Sequence, residues 1–322
     1  MPTRKLTYIE AVNEALDQIL ERDSSAYILG EDVGAYGGGF GVTSGLVEKY
    51  PKQVLETPIS EAAITGVATG SAILGKRPIL EIQFSDFLTV AVDQLVNEAA
   101  KLHYLSNGQV NVPMVIRTAS GSGTGAGPQH SQSLENWFAH IPGLIVAMPS
   151  NPYDAKGIMI SAYENNNPVL IFEPKSLYKK ESLIDIPKDY YSLPLGQAKR
   201  VKEGSDITII ALGRMVDLAK EVAHETDMDI EIIDPITINP LDIKNLYKSA
   251  SKTNKVLILT ESVEKSGISG EIFSRLIEEG FKGSIKRLGA KFSPIGAARE
   301  IDQNLVPTKE QVILALNELG GN

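Results

Sequence analysis

The chain has 322 residues, 43% of them hydrophobic and 22% charged, which is typical of a globular protein with a full core. Its net charge of -9 argues against a nucleic-acid partner, because phosphate binding needs clustered Lys and Arg. The lack of cysteine excludes disulfides and thiolate ligands, and no apolar run approaches the ~20 residues that span a membrane. The sequence before Thr7 has no secretory or transit pattern, so we expect a cytoplasmic protein without membrane or nucleic-acid partners.

The first predicted element is an amphipathic helix that begins after Thr7. The segment Thr7-Tyr-Ile-Glu10 fits a capping box, in which Thr7 is the N-cap and Glu10 reaches back to its amide. Apolar residues then follow at helical spacing, namely Ile9, Val12, Leu16, Ile19 and Leu20. One face of this helix should therefore be buried.

Short apolar runs alternate with helical patterns through the rest of the chain. They occupy residues 27–29, 78–82, 113–116, 144–147 and 169–172, and then residues 207–212, 230–233, 256–259 and 284–288. Strands that alternate with helices indicate parallel βαβ units. The bridge at residues 174–202 has no clear period, so we place the domain boundary there. The sequence thus predicts an α/β protein with a doubly wound parallel-sheet domain at residues 1–188 and a smaller α/β domain at residues 189–322.

The usual short motifs do not identify the chemistry. The chain has no P-loop and no G-x-S-x-G elbow. Residues 121–126 fit the loose dinucleotide pattern G-x-G-x-x-[GA], but Pro128 and His130 come where the packed helix should continue. The four histidines have no metal-ligand spacing, so no metal site is predicted in this chain. These motifs alone leave an α/β enzyme or a binding protein open.

Three local features favour a functional site, although each also has a structural explanation. Glu61 follows the plausible N-cap Ser60, where a carboxylate could act in a site or only complement the helix dipole. Phe87 comes where a strand runs into a helix, and the carboxyl ends of parallel strands bind ligands, but an aromatic residue there is more often part of the core. His130 follows a glycine-rich segment at residues 120–127 that suits a mobile loop, and it could otherwise be structural.

Together these segments resemble the beta subunit of the decarboxylating component of 2-oxo acid dehydrogenase complexes, which use thiamine diphosphate. The matching segments follow the family order over nearly the whole chain; they are residues 30–33, 37–40, 57–61, 81–87, 93–94, 130–133, 142–144, 149–157, 173–175 and 233–242. The resemblance implies that the first domain binds the aminopyrimidine of thiamine diphosphate. It also implies that the second is a transketolase C-terminal-like domain.

The resemblance assigns roles to particular side chains. Glu61 matches the glutamate that hydrogen-bonds the pyrimidine ring and so favours the tautomer that activates the thiazolium carbon. Phe87 matches the aromatic residue that stacks on the pyrimidine. His130 matches the loop histidine that is linked to acyl transfer onto a lipoyl group. Gln83 and Ile59 match positions that line the pocket near them.

The resemblance also implies partners. Related enzymes hold the diphosphate through Mg²⁺ with a Gly-Asp-Gly motif, which does not occur in this sequence. An alpha subunit is therefore expected to hold Mg²⁺ in a heterotetramer of two alpha and two beta subunits. The second domain is expected to contact a lipoyl-bearing acyltransferase core, and a 2-oxo acid is the expected substrate.

Two readings remain open beside a catalytic beta subunit. A degenerate beta-like subunit could serve only assembly, although the presence of both Glu61 and His130 argues against this. A half-transketolase would need additional basic residues for a sugar phosphate. Ser85 and the pair Leu88-Thr89 depart from the common family pattern, so the sequence does not separate pyruvate, branched-chain 2-oxo acids and acetoin as substrates.

Overall fold

A computed structural model describes residues 3–182 and 184–321. The strands in this part of the chain are β1 (Thr3–Arg4), β2 (Ala26–Gly30), β3 (Val54–Glu56), β4 (Arg77–Phe84), β5 (Val115–Ser120), β6 (Ile145–Ala147), β7 (Val169–Pro174), β8 (Ile186–Pro187), β9 (Lys199–Lys202), β10 (Ile207–Ala211), β11 (Ile230–Asp234), β12 (Thr237–Asn239), β13 (Lys255–Val263) and β14 (Ser284–Ala290).

The α-helices in the same residues are α1 (Tyr8–Arg22), α2 (Leu46–Lys49), α3 (Glu61–Ile73), α4 (Leu102–Leu105), α5 (Glu135–Ala139), α6 (Pro152–Glu164), α7 (Met215–Glu225), α8 (Ile243–Thr253), α9 (Ile268–Glu278), α10 (Arg299–Leu305) and α11 (Lys309–Gly320). Shorter helical turns are 3-10 at Ser85–Ala91 and Lys175–Leu177 and π at Gln94–Ala99. None of the helices in the described residues has the length and apolar character needed to cross a membrane.

The predicted capping box opens α1. The Thr7 hydroxyl accepts a hydrogen bond from the Glu10 N–H, and the Glu10 carboxylate accepts one from the Thr7 N–H at 2.7 Å. Such a cap stabilises a helix by about 1 kcal/mol. The predicted apolar face, which includes Val12, Leu16 and Ile19, is buried against the first sheet. The prediction for this helix is confirmed.

The first sheet has seven strands in the order β12-β6-β7-β5-β4-β2-β3. The strands from β2 to β7 are parallel, and every residue of β5 and β7 is buried. Continuous burial is expected of parallel strands that are covered on both faces. The apolar faces of α1 and α6 belong to one core cluster and that of α3 belongs to another, which confirms the predicted doubly wound α/β domain.

The second sheet has five strands in the order β14-β13-β10-β11-β9, all parallel except the edge strand β9. Helices α7 and α11 contribute to one core cluster of this sheet. Helices α8 and α9 contribute to the same cluster as α3, so a continuous apolar core joins the two sheets. This is the predicted second α/β domain.

Strand β12 is one of the short strands that the sequence did not predict, as are β1, β3, β8 and β9. It lies in the second half of the chain but pairs antiparallel with β6 of the first sheet, with Thr237 opposite Ala147. The Asn239 side chain also donates to the Leu144 carbonyl at 2.7 Å. A domain division at residue 188 remains our proposal. Strand β12 nevertheless returns from the second half of the chain to complete the first sheet.

Candidate active site

The five predicted site residues lie at the carboxyl edge of the first sheet. Strands β3, β2 and β4 are parallel and in register there, with Gly30 opposite both Glu56 and Glu81. The segments that follow these strands therefore leave the sheet on the same side, as do those that follow β5. This is the edge at which open α/β sheets bind ligands.

Glu61 is the first residue of α3 and is half-buried. Its side chain makes no hydrogen bond to another described residue. The predicted N-cap Ser60 makes no side-chain cap; instead its N–H donates to the Glu31 carboxylate at 3.2 Å. Burial and the nearby Glu61 carboxylate raise the pKa of Glu31 above its ordinary value. The Glu31 and Glu61 carboxylates are therefore close enough to interact electrostatically at this point of the edge.

Glu31 is a further candidate residue at this edge, and the sequence alone assigns it no role. It follows β2 directly and is only 6% exposed. Its position after a buried parallel strand was the available signal. Its partner Ser60 is 29 residues away, so the contact depends on the fold.

Phe87 and His130 belong to one aromatic cluster with Phe84. The ring centroids are 5.3 Å apart for Phe87 and His130, 4.7 Å for Phe84 and His130 and 5.5 Å for Phe84 and Phe87. All three pairs meet edge to face, a favourable arrangement for aromatic rings. The fold thus places the predicted loop histidine beside the predicted stacking residue.

Gln83 and Ile59 differ in their surroundings. Gln83 is half-buried near the end of β4, and its amide donates to Asp32 at 3.1 Å. A Cβ atom at Gly39 would lie 3.4 Å from the Gln83 amide carbon, so the glycine-rich turn at residues 37–40 covers this side chain. Ile59 is 80% exposed and contributes an apolar surface that the described chain does not cover.

A buried ionic network lies beneath this edge. Arg117 donates to both oxygens of Glu173, at 2.8 and 2.6 Å, and to Glu81. Burial raises the pKa of Glu81, which Arg117 partly opposes. Glu81 also accepts from the Gly39 N–H, and a Cβ at Gly38 (φ +84°) would lie 2.9 Å from its carboxylate. The network therefore fixes a turn that only glycine can form at residue 38.

Ser85, which departs from the family pattern, has a structural role at the site. Its hydroxyl donates to the Gln132 carbonyl at 3.0 Å. The neighbouring Asp86 accepts from the Gln132 side chain at 2.8 Å and from its N–H at 3.3 Å. Both residues therefore attach the segment after His130 to the turn that carries Phe87.

Two α/β domains with a carboxylate and an aromatic cluster at one sheet edge are the arrangement expected of a transketolase-like protein, and comparison with known families confirms this class. Residues 4–181 match the model of the transketolase pyrimidine-binding domain, and residues 196–312 match that of the transketolase C-terminal domain. A solved structure described as "Split gene transketolase, inactive beta4 tetramer" has the same fold, with a TM-score of 0.81 and 21% identity over 98% of both chains.

Curated relatives indicate to which family of transketolase-like proteins the chain belongs. Identity is 42% to a pyruvate dehydrogenase E1 component subunit beta of Acholeplasma laidlawii, covering 86% of this chain and 85% of the relative. It is 40% to a 2-oxoisovalerate dehydrogenase subunit beta of Bacillus subtilis, covering 98% of each. It is 37% to an acetoin:2,6-dichlorophenolindophenol oxidoreductase subunit beta of the same organism, covering 99% and 98%. The chain belongs to this family of E1 beta subunits of thiamine-diphosphate-dependent 2-oxo acid dehydrogenases.

Proposed function

We propose that this chain forms one half of an active site that oxidatively decarboxylates a 2-oxo acid and reductively acylates the lipoyl group of an acyltransferase core. An alpha subunit would supply the other half, in a heterotetramer of two alpha and two beta subunits. The observation that carries the proposal is the convergence of Glu61, Phe87 and His130 at one sheet edge. Membership of the E1 beta family supports it.

The residues at this edge fit the aminopyrimidine of thiamine diphosphate. A flat heteroaromatic ring needs an apolar face and a hydrogen-bonding partner at its edge. The half-buried Phe87 ring offers the face, and the Glu61 carboxylate, which no described residue engages, offers the partner. Gln83 and Ile59 would line the same surface. When bound, the cofactor would supply the electron sink for loss of carbon dioxide.

Two side chains would move protons. Glu61 would exchange a proton with a pyrimidine nitrogen when the cofactor is bound. His130 stands at the Phe87 side of the site, where its imidazole would donate and accept protons during acyl transfer.

The alpha subunit is proposed to hold Mg²⁺ and the diphosphate. The sequence has no Gly-Asp-Gly motif, and Mg²⁺ needs several oxygen ligands in near-octahedral geometry. Ile59 before α3, Val67 within it and Leu74 at its C-cap are exposed, and they support a partner that covers this helix from the site edge onward, because large exposed apolar side chains in one region mark interaction surfaces.

Calorimetric titration tests the shared site. The purified chain alone should show little affinity for Mg²⁺–thiamine diphosphate and no decarboxylase activity. Mixing with an alpha subunit should produce both, and the mass should shift to that of a heterotetramer. Tight, Mg²⁺-dependent binding by the chain alone would contradict the proposal.

An activity panel on the reconstituted complex separates the remaining candidates. Relatives named for pyruvate, 2-oxoisovalerate and acetoin have similar identities of 37–42%, so the panel must include all three substrates. An assembled complex that is inactive with each would favour a non-catalytic assembly subunit. A cytoplasmic location also stays a prediction, since relatives from Oryza sativa are named as mitochondrial; cell fractionation tests it.

A further inference from the structure

The loop that carries His130, residues 121–132, is attached to the second domain by two carboxylates. Glu261 of β13 accepts from the Ser122 N–H at 2.7 Å and from its hydroxyl at 2.6 Å. Asp302 of α10 accepts from the N–H groups of Gly123 and Gly125, at 2.9 and 3.3 Å. The loop backbone therefore takes its position in part from residues far along the chain.

The close approach depends on glycine. Gly121 has φ +82°, and a Cβ atom there would lie 2.6 Å from the Glu261 carboxylate. A larger residue would have to displace the carboxylate and would also be strained at that φ. The absence of a side chain at Gly121 thus allows the Glu261 carboxylate to approach the loop backbone closely.

Hydrogen bonds rather than close packing join this loop to the second domain. A cavity of about 600 Å³ lies between the loop and the second domain. Its walls include Pro128, Ser131 and Gln132 from the loop side and Ser262 and Phe292 from the other. Close-packed side chains do not fill the space between the loop and the second domain, so the two carboxylates limit where the loop can lie on that side.

Two cations compensate the carboxylates. The Arg214 Nε atom lies 2.9 Å from the Glu261 carboxylate, and although burial raises the pKa of Glu261, Arg214 and Ser122 hold it below its ordinary value. Asp302 is 1% exposed. The buried Lys175, whose ammonium makes no hydrogen bond with a described residue, lies in the field of Glu261, Asp86 and Asp302. Arg214 and Ser122 therefore help to keep the Glu261 carboxylate an acceptor inside the interface.

We infer that Glu261 and Asp302 are positioning residues, through which the second domain sets where His130 stands beside Phe87. His130 lies between two hydrogen-bonded points of the loop. Asp302 accepts from the Gly125 N–H before it in the sequence, and Asp86 accepts from the Gln132 side chain after it. The hydrogen bonds of Glu261 and Asp302 to the loop go to Ser122, Gly123 and Gly125 and not to His130 itself. The inference rests on the proposed function for its effect on catalysis, and on hydrogen bonding alone for its effect on the loop.

The test compares Asp302→Ala with Asp302→Asn in the reconstituted complex. The alanine variant should lower lipoyl acylation by about 10- to 100-fold, the scale expected when a reacting group is displaced by about 1 Å. Decarboxylation with an artificial electron acceptor should change much less. The asparagine variant should recover most of the acylation, because its amide oxygen can still accept from both N–H groups. Glu300→Ala is the matched control, since Glu300 is exposed on the same helix.

A double-variant cycle shows whether Asp302 acts through His130. In a His130→Ala background, Asp302→Ala should cause no further loss of acylation. A further loss of the same size, or equal losses in both assays, would overturn the inference and leave Asp302 with a role in folding only. If Asp302→Ala does not fold, Glu261→Ala and Glu261→Gln provide the same comparison at the other anchor. The alanine variant should show the selective loss, and the glutamine variant should recover most of the acylation, because its amide oxygen can still accept from the Ser122 N–H and hydroxyl.

Hydrogen–deuterium exchange of residues 121–132 in the full-length beta chain gives a readout independent of activity. Exchange should be faster in Asp302→Ala than in the wild type, in Asp302→Asn or in Glu300→Ala. Unchanged exchange would overturn the inference whatever the activities are. A wild-type complex that does not acylate lipoyl groups would refute the proposed function instead, and faster loop exchange in Asp302→Ala would still support the anchoring role.

Discussion

The imidazole of His130 meets the ring of Phe87 edge to face, with centroids 5.3 Å apart and an interplanar angle of 77°. One residue follows β4 and the other lies in the loop after β5, so parallel pairing of these strands is what brings them together. The proposed cofactor-stacking residue and the proposed acid–base residue thus share one cluster. A change at either position is expected to affect the other.

Glu61→Gln should leave the fold intact and remove most turnover. Loss of a positioned acid–base group costs roughly 10²–10⁴-fold in rate, whereas loss of a first-turn carboxylate costs only about 0.3–1 kcal/mol of stability. The measurements are 2-oxo acid decarboxylation and thermal unfolding. Glu271→Gln, which removes a first-turn carboxylate from α9, is the control. A near-normal rate in Glu61→Gln would reduce Glu61 to a helix-end charge.

Phe87→Ala should weaken thiamine diphosphate affinity more than it lowers stability. Stacking contributes about 0.5–1.5 kcal/mol beyond area burial, which corresponds to roughly 2- to 10-fold in Kd. Phe87 is half-buried, so its truncation should cost less stability than a core change. Cofactor titration of the complex is compared with thermal unfolding, with the core variant Phe138→Leu as control. Unchanged affinity with a large fall in Tm would identify Phe87 as a core residue.

His130→Ala should reduce lipoyl acylation more than decarboxylation measured with an artificial electron acceptor. The reason is that a histidine on a loop beside the stacking residue suits proton transfer late in the cycle. His224→Ala, on the exposed side of α7, is the matched control. Equal loss in both assays would place His130 in an earlier step, and no loss in either would make it structural.

Glu135→Gln should make stability less dependent on pH. Burial raises the pKa of Glu135 to about 7 from about 4.5. Between these values the unfolded chain releases a proton that the folded chain keeps, so wild-type stability falls as pH rises through this window. The loss is on the order of 3 kcal/mol by pH 8.

Denaturant unfolding at pH 5 and pH 8 measures this effect. The gain of Glu135→Gln over the wild type should be larger at pH 8, whereas the exposed Glu279→Gln should show no such difference. An equal difference from the wild type at both pH values would show that Glu135 does not titrate in this way.

The sequence predicts most of the fold because buried parallel strands are continuous apolar runs. The runs at residues 78–82, 113–116 and 169–172 lie within or overlap β4, β5 and β7. Strand β3 has only three residues, two of them exposed, and gives no such signal. Strand β12 is equally short and depends on pairing with β6, which no local pattern can show.

Some residues of the candidate site could likewise be predicted from the sequence and others could not. Glu61, Phe87 and His130 stand in recognisable segments, and their roles remain proposals. Glu261 and Asp302 could not be found from spacing, since Glu261 lies 139 residues from Ser122 and Asp302 lies 179 residues from Gly123. Their contacts exist only because the second domain packs against the loop.

The return of β12 to the first sheet has a consequence for dissecting this protein. A fragment that ended at residue 188 would lack the strand beside β6, and the freed N–H and C=O groups of β6 would form an open sheet edge. Open edges pair with other chains and promote aggregation. The whole chain, rather than either predicted domain, is therefore the smallest piece suited to expression, and a gene division between the domains would need both products to fold together.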